Sequence, residues 1–226
     1  MTRSVRNPDT DGPGRCGNSA SCCQQDGDRV LDFGDDRLEP EQRRVRSAAF
    51  LGLLRTGRPV SARAVAQDAQ TTLETVTEVL SYFAGRGSVQ YDDHGRVVGM
   101  AGLSVQPTRH VIHLPQGRRW TWCSLDAVGI VAAVGWGKID STGPGAEFHI
   151  AYRDNRFDPV GLAVFVADGY GMTSSLGQWC PLVDFFATVE AADRWSAEQG
   201  VEGRGVPLLD IAEGAGDRWR AIIEGR

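Results

Sequence analysis

Two neighbouring segments decide the fold of the first half of the chain. They are Thr72-Leu-Glu-Thr-Val-Thr-Glu-Val-Leu-Ser-Tyr-Phe-Ala-Gly85 and Ser88-Val-Gln-Tyr-Asp-Asp-His-Gly-Arg-Val-Val-Gly-Met100. The first segment has apolar residues at helical spacing. This predicts a helix that is capped by Thr71 or Thr72 and ended by Gly85 or Gly87. The second segment places two apolar runs on either side of Asp92-Asp-His-Gly95, which predicts a β-hairpin.

Two more helices are predicted before this segment. An apolar stripe begins after Glu39 and ends at Gly57, and Ser61 can cap a short helix that runs through Gln67. Three short helices followed by a hairpin outline a winged helix-turn-helix. We therefore predict a winged helix-like module over residues 37–105 of an α+β protein.

The charge pattern argues against nucleic acid as a partner of this module. The third helix of a helix-turn-helix should carry the base-reading residues, but here it presents Glu74 and Glu78 and has no basic residue before Arg86. The whole chain has 24 basic and 29 acidic residues, a formal net charge of -5. Because phosphate contacts supply most DNA affinity, we favour a packing or lid element and keep a transcriptional regulator as the alternative.

Residues 1–36 are predicted to be a flexible tail. The stretch is rich in turn-forming residues and nearly free of core residues, so it cannot bury enough apolar surface to order itself. It carries Cys16, Cys22 and Cys23, which are either mobile thiols or a trap for soft metal ions. The spacing does not favour a zinc site, because no partner pair follows at finger-like distance.

The cysteine count and the hydropathy pattern predict a cytoplasmic protein with no membrane association. Five cysteines cannot all pair in intrachain disulfides. The apolar run near Ala127 to Val134 is far shorter than the roughly 20 residues that cross a bilayer, and the first residues show no secretory signal. Thiols in the cytoplasm stay reduced.

The second half, residues 106–226, is predicted to be a mixed α+β domain with antiparallel strands. One or two strands surround a turn at Pro115-Gln-Gly117. Apolar alternation and helical spacing give the remaining elements. Strands are expected within 147–152, 161–167 and 183–187, and helices within 123–134, 189–199 and 217–224.

Cys123 and Asp126 form the most informative local pair. If Cys123 opens a helix, Asp126 lies nearly one turn later on the same face, at the spacing of a capping box. The helix N-terminus lowers the pKa of a thiol, whereas a neighbouring carboxylate raises it. The prediction is one proton shared between the two groups, which leaves a soft-metal ligand beside a proton carrier. Cys180 would join them only if the fold brings it close, and is otherwise a small buried hydrophobe.

Two motifs make the chain resemble the organomercurial (alkylmercury) lyases. They are Trp122-Cys-Ser-Leu-Asp126 and Cys180 followed by Phe185-Phe-Ala-Thr188. The similarity begins near Leu53 and covers about residues 40–226, so it leaves out the tail. Either motif alone would be weak, but together they are fairly specific.

The resemblance implies that residues 106–226 are a catalytic domain that cleaves carbon–mercury bonds by protonolysis. The family's two thiols and one acid correspond to Cys123, Cys180 and Asp126. The metal belongs to the substrate, so no separate cofactor is implied. The implied partners are an organomercurial, the Hg(II) product, small cytosolic thiols and a mercuric reductase that receives Hg(II). A non-catalytic soft-metal binding or delivery protein of the same fold remains the alternative, because binding needs the thiols but no proton donor.

The chain departs from the family pattern at two places. A further cysteine that often follows the first motif is absent between Lys138 and Gly145. A histidine-containing stretch after Cys180 is replaced here by Pro181-Leu-Val-Asp184. We expect Asp184 to be a solvated strand residue, as most acids are.

Aromatic residues beside the cysteines have two interpretations. Trp122, Trp179 and Phe185 are predicted to wall the substrate pocket and exclude water. Alternatively, the tryptophans at 120, 122, 136 and 179 are core residues, the usual role of large aromatics. The four histidines show no ligand spacing and are expected to be surface residues or satisfied strand residues.

Overall fold

The computed structural model describes residues 37–169 and 175–225, which fall in one compact unit. The predicted tail, with Cys16, Cys22 and Cys23, lies outside the described residues. The fold is mixed α+β with antiparallel sheets, as the sequence predicts.

The three predicted helices of the first half are present. They are α1 (Pro40–Thr56), α2 (Ala62–Ala69) and α3 (Leu73–Gly85). Their ends follow the predicted chemistry: Gly57 ends α1 in the left-handed region at φ 63, and the side chains of Ser61 and Thr72 cap α2 and α3. Helix α2 runs past Gln67 because Gln70 adopts the left-handed conformation that closes it.

The predicted hairpin is the start of an eight-stranded sheet in which neighbouring strands are antiparallel, in the order β1-β2-β3-β5-β4-β6-β7-β8. The strands are β1 (Val89–Tyr91), β2 (Val97–Met100), β3 (Leu103–Ser104), β4 (His110–Leu114), β5 (Gly117–Thr121), β6 (Gly137–Gly143), β7 (Ala146–Arg153) and β8 (Arg156–Asp158). Strand β6 is missed from the sequence because its buried positions include Gly137 and Ser141, which weaken the apolar alternation.

The sheet continues across the predicted domain boundary at residue 105. Strand β3 pairs with β5, and the buried Arg119 on β5 donates from Nε to the carbonyl of Leu53 at 3.0 Å and from Nη2 to that of Leu54. The Leu53 carbonyl also accepts from the Gly57 N–H that caps α1, whereas the Leu54 carbonyl lies in the last turn, where helix carbonyls lack a partner within the helix. The helical segment is therefore tied to the sheet, and the winged-helix assignment stays a prediction.

A second, three-stranded sheet has β9 (Ala163–Ala167) at its centre, between β10 (Asp184–Phe186) and β11 (Gly203–Pro207). Helix α5 (Val189–Gln199) has the predicted bounds. The last helix, α6 (Leu208–Glu224), begins well before the predicted Asp217. It carries Gly214 and Gly216, whose low helix propensity conceals its first half in the sequence.

Helix α4 (Ser124–Val134) lies in the centre of the molecule and is buried along most of its length. It packs against α6 so closely that a β-carbon on Gly129 would lie 2.1 Å from the ring of Trp219. Its N-terminal end therefore opens inside the protein instead of at the surface. None of the described helices is long and apolar enough to cross a membrane.

Candidate active site

Cys123 is the N-cap residue of α4. Its backbone is extended (φ -146), and its Sγ accepts a hydrogen bond from the backbone N–H of Asp126 at 3.4 Å. In return, the thiol donates to Asp126 Oδ2 at 3.1 Å. The three-residue spacing thus lets the thiol cap the helix in place of the usual hydroxyl and brings it into direct contact with the carboxylate.

Asp126 is buried at the first turn of α4 and touches the backbone of Gly102. Gly102 has φ +90, and a β-carbon there would fall 2.2 Å from Asp126 Oδ1. Burial raises the pKa of Asp126 to about 6, against the lowering effects of the Cys123 hydrogen bond and the positive charge of Arg218. The carboxyl group can therefore hold or release a proton near neutral pH.

Cys180 reaches the same place from a distant part of the chain. It opens a single 3₁₀ turn, Cys180–Leu182, just before β10. Its Sγ lies 4.0 Å from Asp126 Oδ2. The turn is joined to the start of α4 by the backbone bond from Ser124 N–H to the carbonyl of Val183, at 3.4 Å.

The two sulfurs and the carboxylate form one buried cluster. One ligand atom from each of Cys123, Asp126 and Cys180 lies within 4.8 Å of the others, and both thiols are free. Two soft thiolates beside one carboxylate suit a soft metal ion. The fold therefore brings together the three residues that the sequence singles out.

Both thiols are harder to ionise than the helix N-terminus alone would predict. Burial raises the pKa of Cys123 well above its ordinary value, and its contacts with Cys180 and Asp126 add to the rise. For Cys180, the hydrogen bond from Cys123 lowers the pKa, but burial and the charge of Asp126 outweigh it. Desolvation is the largest cause for Cys123, and for Cys180 it acts together with the charge of Asp126, so the pKa of both thiols is raised.

A small cavity adjoins the cluster. Its volume is about 10 Å³, which is roughly the room that one water molecule needs. Its walls are Ser88, Ala101, Gly102, Trp122, Asp126, Trp179, Cys180 and Arg218. Trp122 and Trp179 thus line it, whereas Phe185 packs against the rings of His110 and Phe148 and is not among its walls.

The two tryptophans are held differently. Trp179 Nε1 donates to the carbonyl of Ala167 at 2.8 Å, at the end of β9. The indole N–H of Trp122 is buried and has no hydrogen-bond partner within residues 37–169 and 175–225. Trp136 is 45% exposed, so the alternative that all four tryptophans are core residues is wrong for it.

Sequence reasoning missed Gly102 and Arg218. Arg218 reaches the cavity because its neighbour Trp219 anchors α6, donating from Nε1 to the carbonyl of Ala101 at 2.9 Å. The Arg218 side chain lies over the Trp219 ring, 4.9 Å from its centroid. Neither residue belongs to a motif with Cys123 or Cys180, so only a three-dimensional structure connects them.

The expectation for Asp184 is wrong. Its side chain is only 2% exposed, and its Oδ2 forms a 2.9 Å ion pair with Nη1 of Arg109. Burial raises the pKa of Asp184 to about 6 in spite of that arginine and of the Phe185 N–H. A strand residue was expected to face water, but β10 is buried along its whole length.

The histidines behave as expected. His110 is buried and contacts Ser141 Oγ at 2.8 Å, while His113 and His149 both contact the carboxylate of Asp140. His94 is exposed in the hairpin turn. Three of the four histidine side chains therefore have protein partners, and the fourth lies at the surface.

Comparison with known proteins identifies the family to which the chain is related. The family model of the alkylmercury lyases (MerB) matches residues 103–219, which include all three cluster residues. An alkylmercury lyase of Streptomyces lividans is 30% identical over 183 residues, covering 78% of this chain and 82% of the relative. One from Staphylococcus epidermidis is 28% identical over 170 residues, or 73% and 76% of the two chains.

A solved structure shares the fold. The crystal structure of the mercury-bound form of MerB2 superposes with a TM-score of 0.74 at 21% identity, over 83% of this chain and 94% of that one. A family match across more than half of the chain, relatives of similar length and a common fold agree with one another. The chain belongs to the alkylmercury lyase family of enzymes.

Proposed function

We propose that this protein cleaves carbon–mercury bonds by protonolysis and releases a hydrocarbon while Hg(II) stays on its thiolates. The observation that supports this most directly is the convergence of Cys123, Asp126 and Cys180 within 4.8 Å in a buried site. Family membership supplies the reaction class, and the cluster supplies the groups that such a reaction needs.

The first stage is capture of the substrate by the thiols. An organomercurial arrives with a small-thiol ligand on its mercury. One cysteine displaces that ligand, and the departing thiolate takes up the proton that the cysteine loses. The second cysteine then binds mercury and passes its proton to Asp126, whose Oδ2 lies 3.1 Å from Cys123 Sγ and 4.0 Å from Cys180 Sγ. Because this oxygen is near both sulfurs, either thiol can act first.

The second stage is delivery of the proton to carbon. Two thiolates on mercury push electron density toward the carbon, which is a very poor leaving group without a proton. Asp126 protonates that carbon as the electron pair of the carbon–mercury bond becomes the new carbon–hydrogen bond. Each molecule of substrate thus gives one hydrocarbon, one free small thiol and one Hg(II) held by two cysteines. A carboxyl pKa of about 6 suits a group that must accept and then donate a proton.

The walls of the cavity keep this chemistry away from water. Trp122 and Trp179 cover the cluster, and the cavity of about 10 Å³ is too small for an organomercurial. Side chains at the cavity must therefore move when substrate enters. Exclusion of water strengthens the interaction between mercury and the thiolates, because charges attract more strongly at low dielectric.

The remaining partners follow from the chemistry of the product. Hg(II) held by two thiolates leaves only by exchange with other thiols, so small thiols or a mercuric reductase are the proposed acceptors. We therefore propose a cytoplasmic location, where such thiols are reduced.

The test is release of benzene from phenylmercury in the presence of excess small thiol. Cys123→Ser and Cys180→Ser should each abolish release. Asp126→Asn should lower it by at least about 10²-fold and leave Hg(II) binding intact. Asp140→Asn is the matched control, because it makes the same change in a half-exposed carboxylate outside the cavity, and it should keep wild-type activity.

A wild-type protein that binds Hg(II) through both thiols but releases no benzene would reject the lyase proposal. That outcome would favour the alternative of a soft-metal binding or delivery protein. Unchanged turnover in Asp126→Asn would remove the proton-relay role and leave the thiols as the reactive groups.

A further inference from the structure

Arg109 contacts the Cys180 turn itself and the residue that begins the next strand. Its Nη2 donates to the carbonyl of Pro181 at 2.9 Å, and its Nη1 pairs with Asp184 Oδ2, also at 2.9 Å. Its Nε donates to Nε2 of His110 at 3.2 Å. One guanidinium thus joins the residue after the second thiol, the residue that begins β10, and the first residue of β4.

We propose that the Arg109–Asp184 ion pair is a positioning device that holds the Cys180 sulfur opposite Cys123, so that both thiols can grip one mercury atom. This inference rests on the proposed function, because it concerns the second thiol of that site. Arg109 and Asp184 lie outside the cavity walls and act through the Cys180 turn, so neither is a catalytic residue.

The Cys180 turn has few restraints of its own. It is three residues long, and the bond from Val183 N–H to the Cys180 carbonyl, at 3.2 Å, is its internal closure. Short 3₁₀ turns have poor hydrogen-bond geometry and little intrinsic stability. Contacts from outside therefore have to set where the sulfur points, and Arg109 supplies one at Pro181 and one at Asp184.

The Arg109–Asp184 ion pair, called the clamp below, is anchored to the large sheet. The backbone carbonyl of Arg109 accepts from Thr142 N–H at 3.1 Å, and His110 contacts Ser141 Oγ at 2.8 Å, which ties both residues to the end of β6. Burial and the neighbouring arginine lower the pKa of His110 to about 3. The ring is therefore neutral, and its Nε2 accepts from Arg109 while its Nδ1–H donates to the serine.

The buried carboxylate makes the pair sensitive to substitution. Asp184 Oδ1 accepts from Phe185 N–H at 2.9 Å, and Arg109 covers Oδ2. Asp184 is buried whereas the Arg109 side chain is 39% exposed, so removing Arg109 leaves the buried carboxylate without its counter-charge. A sulfur displaced by 1 Å can cost about 10²-fold in rate, because proximity effects depend steeply on geometry. Loss of the clamp should therefore weaken the grip on mercury as well as the fold.

The decisive variants are Arg109→Lys and Arg109→Gln. Lysine keeps the charge but cannot bridge Pro181, Asp184 and His110 at once, because it lacks the planar fork. The primary measurement is the number of protein sulfurs bound to Hg(II), read by X-ray absorption, in samples shown to be folded by circular dichroism. Arg153→Lys, at the exposed end of β7, is the matched control.

We expect wild type and the Arg153→Lys control to hold Hg(II) by two protein sulfurs, and Arg109→Lys to hold it by one, with kcat for phenylmercury lowered at least about tenfold. Arg109→Gln should show the same loss of a sulfur. Two sulfurs in both folded Arg109 variants would overturn the inference. So would a fall in kcat that matches only the unfolded fraction, since that is the signature of a purely stabilising pair.

The sulfur count separates this inference from the proposed function, because it needs no turnover. Suppose that wild type releases no benzene, but holds Hg(II) by two protein sulfurs where Arg109→Lys holds it by one. The lyase proposal then fails and the positioning role stands. If benzene release is unaffected in the folded variants, the positioning role fails and the lyase proposal stands.

Discussion

Gly102 lies against the carboxyl group of Asp126, with no room for a side chain between them. A β-carbon at Gly102 would be 2.2 Å from Asp126 Oδ1, and the backbone there has φ +90. The loop after β2 thus packs directly against the carboxyl group of Asp126. The position of the proposed proton carrier is set by a glycine that no motif includes.

Gly102→Ala should therefore lower benzene release per folded molecule, whereas a matched control variant should lose stability without losing turnover. The control is Gly95→Ala, which has a similar positive φ of +71 but no atom within 4 Å of the added carbon. Both variants carry the backbone cost of about 1–2 kcal/mol for the left-handed conformation, so thermal unfolding should fall in both. Turnover per folded molecule should fall in Gly102→Ala alone. Equal turnover in the two would show that Asp126 tolerates displacement.

The raised pKa of Asp126 predicts a pH-dependent stability with a definite sign. The folded pKa of about 6 lies above the ordinary 3.8, so the folded state binds the proton more tightly than the unfolded chain. The contribution is fully present below about pH 3.8 and is lost as pH rises through about 6. Its size is on the order of 3 kcal/mol, at 1.36 kcal/mol per pKa unit.

Denaturant unfolding of wild type and Asp126→Asn across pH 4–8 would measure this contribution. Wild type should lose stability relative to the amide variant as pH rises through about 6. Asp184 also has a pKa raised to about 6 and contributes with the same sign, but it is present in both proteins and cancels in the difference. A difference that does not change with pH would mean that Asp126 keeps an ordinary pKa.

Arg218 should influence the pKa values in the buried cluster of Cys123, Asp126 and Cys180. Its positive charge lowers the pKa of both Asp126 and Cys180. In Arg218→Gln, the pH midpoint for alkylation of Cys180, followed by peptide mass spectrometry, should move upward, and Arg218→Lys should restore most of it. A midpoint that does not move in Arg218→Gln would mean that solvent screens this charge from the sulfur.

Two glycines predict opposite effects on stability. Gly129→Ala should destabilise the fold by about 1–3 kcal/mol, because overpacking forces neighbours to shift and its β-carbon would meet the Trp219 ring at 2.1 Å. Gly214→Ala in α6 should stabilise it by up to about 1 kcal/mol, since nothing lies within 4 Å of the added carbon. Urea unfolding of both variants checks the pair. A loss of stability in Gly214→Ala would contradict the helical environment of that residue.

The tail cysteines predict a kinetic effect. If Cys16, Cys22 and Cys23 collect substrate, deletion of residues 1–36 should slow benzene release at low phenylmercury concentration and spare the rate at saturation. The full-length chain with all three cysteines changed to serine should behave like the deletion. Equal rates at low substrate for all three proteins would favour inert mobile thiols.

Local chemistry accounts for what could be predicted about the fold. Caps at Ser61 and Thr72 and the hairpin turn at Asp92–Gly95 depend on neighbours in the chain, so these elements appear where expected. The sequence does not reveal strand β6, because Gly137 and Ser141 at buried positions weaken its apolar pattern, or the first half of α6, because Gly214 and Gly216 lower its helix propensity. Those elements are stabilised by their sheet and helix partners, which sequence spacing does not reveal.

The sequence by itself predicted the pairing of Cys123 with Asp126, because residues three apart lie on the same face once Cys123 opens a helix. Only the tertiary structure decided that Cys180 joins them, that Gly102 presses on the acid and that Asp184 is buried against Arg109. Those contacts depend on strand register and on the packing of α4 against α6, and chain positions far apart acquire a fixed distance only when the whole core closes around them.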